Sequence, residues 1–110
     1  MLLDRAGKLV TDLDFRGTKI EYLDRLTAKD LFLIISTVQQ LVNKKETFTA
    51  KQLTPVDWKR TTYAPIFEVC ENPSDAGRLL GVIIKQALIM SPLLFRQEGD
   101  MGPDAVYTRI

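Results

Sequence analysis

Residues 93–110 read LLFRQEGDMGPDAVYTRI, and this stretch decides the prediction of the fold. Two runs that mix apolar and polar residues, at 93–97 and 105–110, flank a loop at 99–103 that is rich in glycine and ends in proline. Because glycine and proline mark turns between strands, the stretch predicts a β-hairpin. The hairpin directly follows the most hydrophobic helix pattern of the chain. The elements that precede the hairpin therefore indicate the class of domain to which it belongs.

The first strong helix pattern begins at Thr27. Thr27 can cap the helix and Asp30 follows three residues later, as in a capping box. Apolar residues then recur at intervals of three and four, which is typical of one buried helix face. These residues are Leu31, Ile34, Ile35, Val38, Leu41 and Val42. Thr49 and Gln52 repeat the capping signal for a short helix, and the mixed stretch after it is predicted to split into two short pieces near Pro65.

The second strong helix pattern covers residues 73–90. Asn72 or Ser74 can cap it, Pro73 suits its first position, and Ser91-Pro92 ends it. The residues of its main buried face are Ala76, Leu79, Leu80, Ile83, Ala87 and Met90. Further apolar residues widen this face, and they are Val82, Ile84, Leu88 and Ile89. Because one small core does not need so many, we expect these additional residues to form an exposed surface that binds a partner.

Residues 1–26 carry the least regular pattern of the chain. Apolar and charged residues alternate on both sides of Arg16-Gly17, from Leu13 to Tyr22, which is typical of a β-hairpin. A coiled arm that packs on the domain is the alternative. The sequence therefore predicts an N-terminal arm or β-hairpin at 1–26. It predicts a domain that is mainly α with a small β part at 27–110.

The composition excludes several classes of protein. At 110 residues, with 45% hydrophobic and 26% charged residues, the chain resembles one soluble globular domain. Its single cysteine, Cys70, cannot form an internal disulfide, which fits a reducing cytoplasm. Because no apolar stretch reaches membrane-spanning length, we expect a cytoplasmic protein with no membrane partner. The formal net charge of +1 is lower than that of many DNA-binding domains.

Catalysis has little support in the sequence. The chain contains no histidine, which is the commonest general base in enzymes. Cys70 lies between Glu68 and Glu71, whose charges would oppose a thiolate, and a lone cysteine without histidine cannot build a zinc site. Asp12 and Asp14 could hold a metal ion, but strand alternation favours a solvent-facing position for both. We therefore expect no enzyme activity, no metal and no cofactor.

The order of the predicted elements resembles the winged-helix superfamily of helix-turn-helix domains: a first helix, a brief extended stretch, a helix-turn-helix and a two-stranded wing. The resemblance is one of arrangement and covers residues 27–110, although residues 54–71 are longer than a tight helix-turn-helix turn. The piece AGRLLGVIIK at 76–85 is also similar to the third helix of winged helices in replication and plasmid proteins. The resemblance implies that residues 73–90 form the recognition helix, which lies in the major groove of DNA in such domains, and that 99–103 form the wing tip.

If DNA is the partner, basic residues around the predicted recognition helix are the candidates for contact. Arg78 and Lys85 are seven residues apart and share a helix face beside Gly77 and Gly81, so a phosphate backbone or another helix can come close to this face. Residues 97–110 carry three acidic side chains against one basic side chain, which makes the predicted wing a poor phosphate clamp. The candidate DNA-binding residues are Lys51, Lys59, Arg60, Arg78, Lys85 and Arg96.

Two functions are compatible with these patterns. The first is a DNA-binding winged-helix protein, either a small transcriptional regulator or a replication accessory factor of plasmid or phage type, whose partner is double-stranded DNA. The second is a non-catalytic protein-interaction module, in which the same fold serves a homodimer or another protein partner. Analogy at the level of the fold favours the first function, and the additional apolar residues of the second long helix favour the second.

Overall fold

The computed structural model describes residues 1–11, 20–55, 57–70, 72–98 and 106–110. Over these residues the protein is mainly α-helical with a small β-sheet, as the sequence predicts. The helices are α1 (Ile20–Asp24), α2 (Ala28–Val42), α3 (Ala50–Leu53), α4 (Ala64–Cys70) and α5 (Pro73–Met90), and a 3₁₀ turn covers Trp58–Arg60. The strands are β1 (Leu2–Leu3), β2 (Leu9–Val10), β3 (Thr47–Thr49), β4 (Phe95–Gln97) and β5 (Val106–Arg109).

Side-chain caps set where the two long helices begin. The Thr27 hydroxyl accepts a hydrogen bond from the Asp30 N–H at 3.1 Å, and α2 starts one residue after Thr27. At α5 the side-chain oxygen of Asn72 accepts from the Asp75 N–H at 2.9 Å, and Pro73 takes the first helical position, where no N–H is needed. The predicted starts of both helices are confirmed. Of the two cap residues predicted for α5, the structure uses Asn72.

The segment between α2 and α5 consists of short pieces. Thr49 and Gln52 form a reciprocal capping box: the Thr49 hydroxyl accepts from the Gln52 N–H at 3.2 Å, and the Thr49 N–H donates to the Gln52 side-chain oxygen at 3.0 Å. α4 begins at Ala64, so Pro65 lies in its first turn, where the missing N–H removes no helical hydrogen bond. The predicted division near Pro65 is confirmed: the 3₁₀ turn ends at Arg60, and α4 begins at Ala64.

The strands of the described residues join into one sheet in the order β2-β1-β4-β5-β3. β4 and β5 pair antiparallel, with Gln97 opposite Tyr107, so the predicted C-terminal hairpin is confirmed. Its predicted loop at 99–103 lies outside the described residues. β3 pairs antiparallel with β5, with Phe48 opposite Tyr107. The extended stretch after α2 is therefore a strand of the same sheet as the hairpin.

The N-terminal residues also belong to this sheet. β1 pairs antiparallel with β2 and parallel with β4, and Leu2 on β1 is fully buried. The turn between β1 and β2 is closed by a hydrogen bond from the Asp4 N–H to the Lys8 carbonyl at 2.8 Å. Gly7 in this turn has φ 82°, a left-handed conformation that glycine adopts without steric cost. The N-terminus therefore forms a hairpin, but one that turns at residues 4–8.

The strand predicted up to Tyr22 is wrong where the structure describes it. The predicted turn at Arg16-Gly17 lies outside the described residues, and the chain from Ile20 to Asp24 is helix α1. Tyr22 and Leu23 are partly buried and pack against the core from this helix. Alternation over so few residues fits a strand or a single helical turn equally well, so the tertiary contacts decided between them.

The core lies between the inner face of the sheet and the helices. α5 packs against α2 and α4, and its buried residues belong to the same core cluster as Phe48, Phe95 and Tyr107 of the sheet. The rings of Phe48 and Phe95 meet edge to face with their centroids 6.0 Å apart, and the Phe48 and Tyr107 centroids are 5.5 Å apart. Aromatic contacts of this kind add to the stabilisation that burial provides.

The exposed apolar surface predicted on α5 is not present. Val82, Ile84 and Leu88 are 8%, 0% and 0% exposed, and Ile89 is partly buried against the core. The prediction assumed that α5 buries one face only. Because α2 and α4 both pack against α5, and its buried residues join one core with those of the sheet, apolar residues beyond the main face are also buried.

Candidate nucleic-acid interface

One strip of α5 stays accessible between the elements that pack around the helix. Its residues follow the spacing of a single helix face, and they are Ser74, Gly77, Arg78, Gly81 and Lys85. Ser74 and Arg78 are exposed, and the other three are partly exposed, whereas the residues on the remaining sides of α5 are mostly buried. We call this surface the α5 strip. The structure places Arg78 and Lys85 on it together, two turns apart, as their spacing predicts.

Gly77 and Gly81 leave a gap in the middle of the α5 strip. A Cβ atom added to either residue would meet no atom within 4 Å in the part of the chain that the structure describes. Neither glycine has a positive φ. Glycine in a helix interior costs about 1 kcal/mol relative to alanine, and neither packing nor backbone conformation requires it at these two positions. The gap is therefore accessible to a second molecule.

Arg78 lies beside a carboxylate at the start of α5. Its Nη1 atom is 3.9 Å from Asp75 Oδ1, and the Arg78 side chain remains 57% exposed. The Asp75 carboxylate also accepts hydrogen bonds from the Tyr22 hydroxyl at 3.3 Å and from the Asn72 side-chain amide at 3.0 Å. Because an exposed ion pair contributes at most about 1 kcal/mol, an incoming phosphate or base edge can compete with Asp75 for Arg78.

Lys51, Lys59 and Arg60 are exposed on the segment between α2 and α5. Lys51 lies on α3, and the other two are neighbours in the 3₁₀ turn. The Arg60 Nε atom is 3.7 Å from Asp57 Oδ2, and Lys59 lines an open surface depression together with Glu68. An acidic side chain near each of these two cations weakens its attraction for phosphate compared with an isolated charge.

Arg96 lies on a different side of the molecule from the α5 strip. Its neighbours Phe95 and Gln97 are buried, so Arg96 points from the outer face of the sheet, whereas the helices pack on the inner face. The Arg96 Nη2 atom donates a hydrogen bond to the Arg5 carbonyl at 3.0 Å. The structure therefore brings Arg96 to the N-terminal hairpin and not to the other predicted site residues.

The sequence analysis missed the basic residues of the N-terminal hairpin. Arg5 and Lys8 are exposed in the turn between β1 and β2, and Arg5 lies next to Arg96 although 91 positions separate them in the chain. The Asp4 carboxylate accepts from the N–H groups of Ala6 and Lys8 and so shapes this turn. Gly7 is a turn signal that could have located the hairpin, but no local signal reports the pairing of β1 with β4.

The fold changes the chemistry of the Cys70 side chain. It is 2% exposed, and burial raises the pKa of its thiol to about 11, with a smaller contribution from the Asp75 carboxylate. A protonated, buried thiol is a poor nucleophile. Among the described residues, no group of three or more His, Cys, Asp or Glu side chains is placed to hold a metal ion.

Within the described ranges, none of the helices combines the length and the apolar character needed to cross a membrane.

Comparison with known proteins adds no family to this description. No protein-family model matches the chain, and no curated protein or solved structure matches it either.

Proposed function

We propose that this chain is a cytoplasmic winged helix-turn-helix protein that binds double-stranded DNA without catalysing a reaction. The order of its elements supports the proposal: α2, the strand β3, the short helices α3 and α4, the long helix α5 and the hairpin β4–β5 follow one another as the resemblance implies. In this assignment α5 is the recognition helix. The corresponding biological role is that of a small transcriptional regulator or of a replication accessory factor of plasmid or phage type.

The observation that carries the proposal is the α5 strip. Gly77 and Gly81, which packing within the described chain does not explain, lie beside Arg78 and Lys85 on one accessible face. Glycine lets another backbone approach a helix closely. Arginine can bind guanine through two hydrogen bonds, and both cations can bind phosphate. The strip therefore combines room for DNA with the charges that hold DNA.

The basic residues divide into three groups under this proposal. Arg78 and Lys85 enter the major groove from α5, because the polar side of a recognition helix contacts base edges and nearby phosphates. Lys51 and the 3₁₀-turn cations Lys59 and Arg60 contact phosphates beside the groove. Arg96 is not part of this contact, since it points from the outer face of the sheet. With few phosphate contacts, the dependence of affinity on salt should be modest.

Binding of a fluorescently labelled random-sequence duplex, followed by anisotropy over a series of salt concentrations, tests the proposal. We expect binding at low salt, and a logarithm of affinity that falls linearly with the logarithm of salt concentration. Arg78→Gln and Lys85→Gln should each weaken binding, and loss of a phosphate contact should reduce the salt slope by about 1. Lys44→Gln, which removes an exposed lysine after α2, is the matched control and should leave the slope unchanged. Absence of binding at low salt would refute the proposal.

The alternative function is a non-catalytic protein-interaction module. The near-neutral net charge of +1 favours it. The apolar residues of α5 beyond its main face do not support this function, because Val82, Ile84 and Leu88 are buried in the core. Exposed apolar residues lie instead on α2, where Phe32 is 69% exposed and Leu33 is 45% exposed. A monomeric protein that recovers no partner in a pull-down experiment would remove the support for this function.

A further inference from the structure

Helix α1 packs beside the start of α5 through one shared carboxylate. The Tyr22 hydroxyl on α1 donates to Asp75 Oδ2 at 3.3 Å, and Oδ1 of the same carboxylate lies 3.9 Å from Arg78 Nη1. Leu23 on α1 is partly buried against the core, and Leu26 just after the helix belongs to the core. These contacts hold α1 at the edge of the α5 strip that carries Arg78.

Arg25, the first residue after α1, presents a second guanidinium group next to this contact. Its Cζ atom lies 5.3 Å from the centroid of the Tyr22 ring, as in a cation–π contact. Its Nη1 atom donates to the Val69 carbonyl at the long distance of 3.5 Å. Burial is the main cause that raises the pKa of the Cys70 thiol, and of the nearby charges Asp75 raises it further and Arg25 lowers it. The Arg25 charge therefore lies close to the start of α5.

The Arg25 guanidinium has no carboxylate partner within the described ranges. Glu21 and Asp24 are exposed on α1, but neither forms an ion pair with it. Because its one acceptor is an uncharged carbonyl, Arg25 keeps its full charge and most of its hydrogen-bond donors for another molecule. The contact with the Tyr22 ring restricts the side chain, which lowers the entropy that it loses when an anion binds.

We propose that Arg25 binds a phosphate of the DNA backbone at the edge of the groove that α5 enters. The inference rests on the proposed DNA binding and adds to it a contact from residues 1–26, which the winged-helix resemblance does not cover. The major groove is about 12 Å wide, so a single helix fills it. Elements beside the recognition helix therefore face the sugar–phosphate strands and not the base edges. Arg25 belongs to such an element.

The contact gives Arg25 a different task from Arg78. Arginine can bind a phosphate through two parallel hydrogen bonds. A phosphate contact fixes the position of the protein on the duplex and carries no sequence information. Arg25 thus adds affinity and orients α5, whereas Arg78 on the α5 strip can reach base edges.

Anisotropy titrations of the full chain with labelled duplexes of different sequence, over a series of salt concentrations, test the proposal. Arg25→Gln should weaken binding to a similar degree on every duplex and reduce the salt slope by about 1. Arg25→Lys keeps the charge and should keep the slope. Lys29→Gln is the matched control: Lys29 is exposed in the first turn of α2, opposite the buried stripe of that helix, and its loss should leave the slope unchanged. Circular dichroism of each variant checks that the fold is retained.

Tyr22 is a positioning residue for Arg25, and paired variants test this role. Tyr22→Phe keeps the ring and Tyr22→Leu removes it, while both lack the hydroxyl that binds Asp75. Tyr22→Leu should bind DNA about two- to fivefold more weakly than Tyr22→Phe, the size of an exposed cation–π contact. The difference should vanish when both variants also carry Arg25→Gln. A difference that persists would show that the ring acts through the fold and would overturn this role.

The outcomes separate the role of Arg25 from the proposed function. If Arg78→Gln weakens binding and Arg25→Gln keeps the affinity and slope of the wild type, DNA binding through α5 stands and the Arg25 contact is overturned. An equal loss of slope in Lys29→Gln, or a loss on one sequence alone, would also overturn it, because the first reports net charge and the second a base contact. A wild-type chain that does not bind DNA at low salt overturns both.

Discussion

Helices α2 and α5 are the two long helices of the described chain, and they meet their surroundings in different ways. In α5, eight of eighteen residues are buried, and they lie on several sides of the helix. In α2, three of fifteen residues are buried, and Ile34, Val38 and Val42 form one stripe. The accessible part of α5 carries glycine and cations, whereas the accessible part of α2 carries Phe32 and Leu33.

The difference shows that the number of apolar residues in a helix does not reveal how many of them stay exposed to solvent. α5 has neighbours on several sides, so the apolar residues beyond its main face serve the core. α2 packs against α5 on one side, so Phe32, Leu33 and Leu41 face solvent, whereas Leu31 and Ile35 lie beside the stripe and pack against the core. Among the described residues, the exposed apolar side chains that the sequence analysis expected on α5 are therefore found on α2.

Truncation of one leucine in each helix should give the largest difference between them. Leu80 on α5 is fully buried, and Leu33 on α2 is 45% exposed. Leu80→Ala should lower the free energy of unfolding by about 2–5 kcal/mol, the range for buried leucines. Leu33→Ala should lower it by less than about 1 kcal/mol. Urea unfolding at concentrations where the chain is monomeric measures both values, and equal losses would contradict the difference in burial.

Alkaline pH should act on the surroundings of α5 and not on residues 31–42 of α2. Residues 31–42 of α2 contain no ionisable side chain, whereas Cys70 lies in the core next to α5. The pKa of its thiol is raised from 9.0 to about 11, first by burial and then by Asp75. Since folding favours the protonated thiol, its contribution to stability is complete below pH 9 and is lost as the pH rises through about 11.

The measurement is the free energy of unfolding across this pH range. We expect the thiol to account for a decrease on the order of 2 kcal/mol. The ionisation of Tyr63 and Tyr107, whose pKa values are also raised by burial, adds to the decrease in every variant. Cys70→Ala isolates the thiol and should show a smaller decrease than the wild type. The same pH dependence in both proteins would show that Cys70 is not buried as described.

Removal of the N-cap side chains should lower the free energy of unfolding by similar amounts in both helices, and by less than the truncation of Leu80. Thr27→Ala and Asn72→Ala should each lower the free energy of unfolding by about 1 kcal/mol. The Asn72 variant should lose more, because its side-chain amide also donates to the Cys70 carbonyl at 3.2 Å and to Asp75 Oδ2 at 3.0 Å. Thermal unfolding by circular dichroism ranks the two variants. A larger loss at Thr27 would reverse the expected order.

Gly81→Ala should change the stability of the fold and the affinity for DNA in opposite directions. A Cβ atom at Gly81 has no neighbour within 4 Å in the described structure, so the variant should gain about 1 kcal/mol of stability from helix propensity. Ser36→Ala on α2 is the comparison, with an expected gain of about 0.5 kcal/mol. If α5 contacts DNA through its strip, Gly81→Ala should also bind the duplex more weakly. A loss of stability in Gly81→Ala would mean that another part of the protein occupies the gap.

The features that could be predicted from the sequence depend on residues that are close along the chain. The caps at Thr27 and Asn72, the Thr49–Gln52 box and the hairpin of β4 and β5 each follow from chemistry within a few positions. The shared face of Arg78 and Lys85 follows from helical periodicity in the same way. For the candidate site, the sequence thus predicted the central pair, but it also grouped Arg96 with that pair.

The sequence by itself determined where α2, α3 and α5 begin and that the last two strands pair as a hairpin, because capping and turn preferences act locally. Only the tertiary structure decided that β1 lies beside β4, that α5 is covered from several sides, and that Phe32 and not Ile84 faces solvent. These outcomes depend on which apolar surfaces meet across long distances in the chain. The sequence of a helix shows that the helix has an apolar side, but it does not show how many other elements will pack against it.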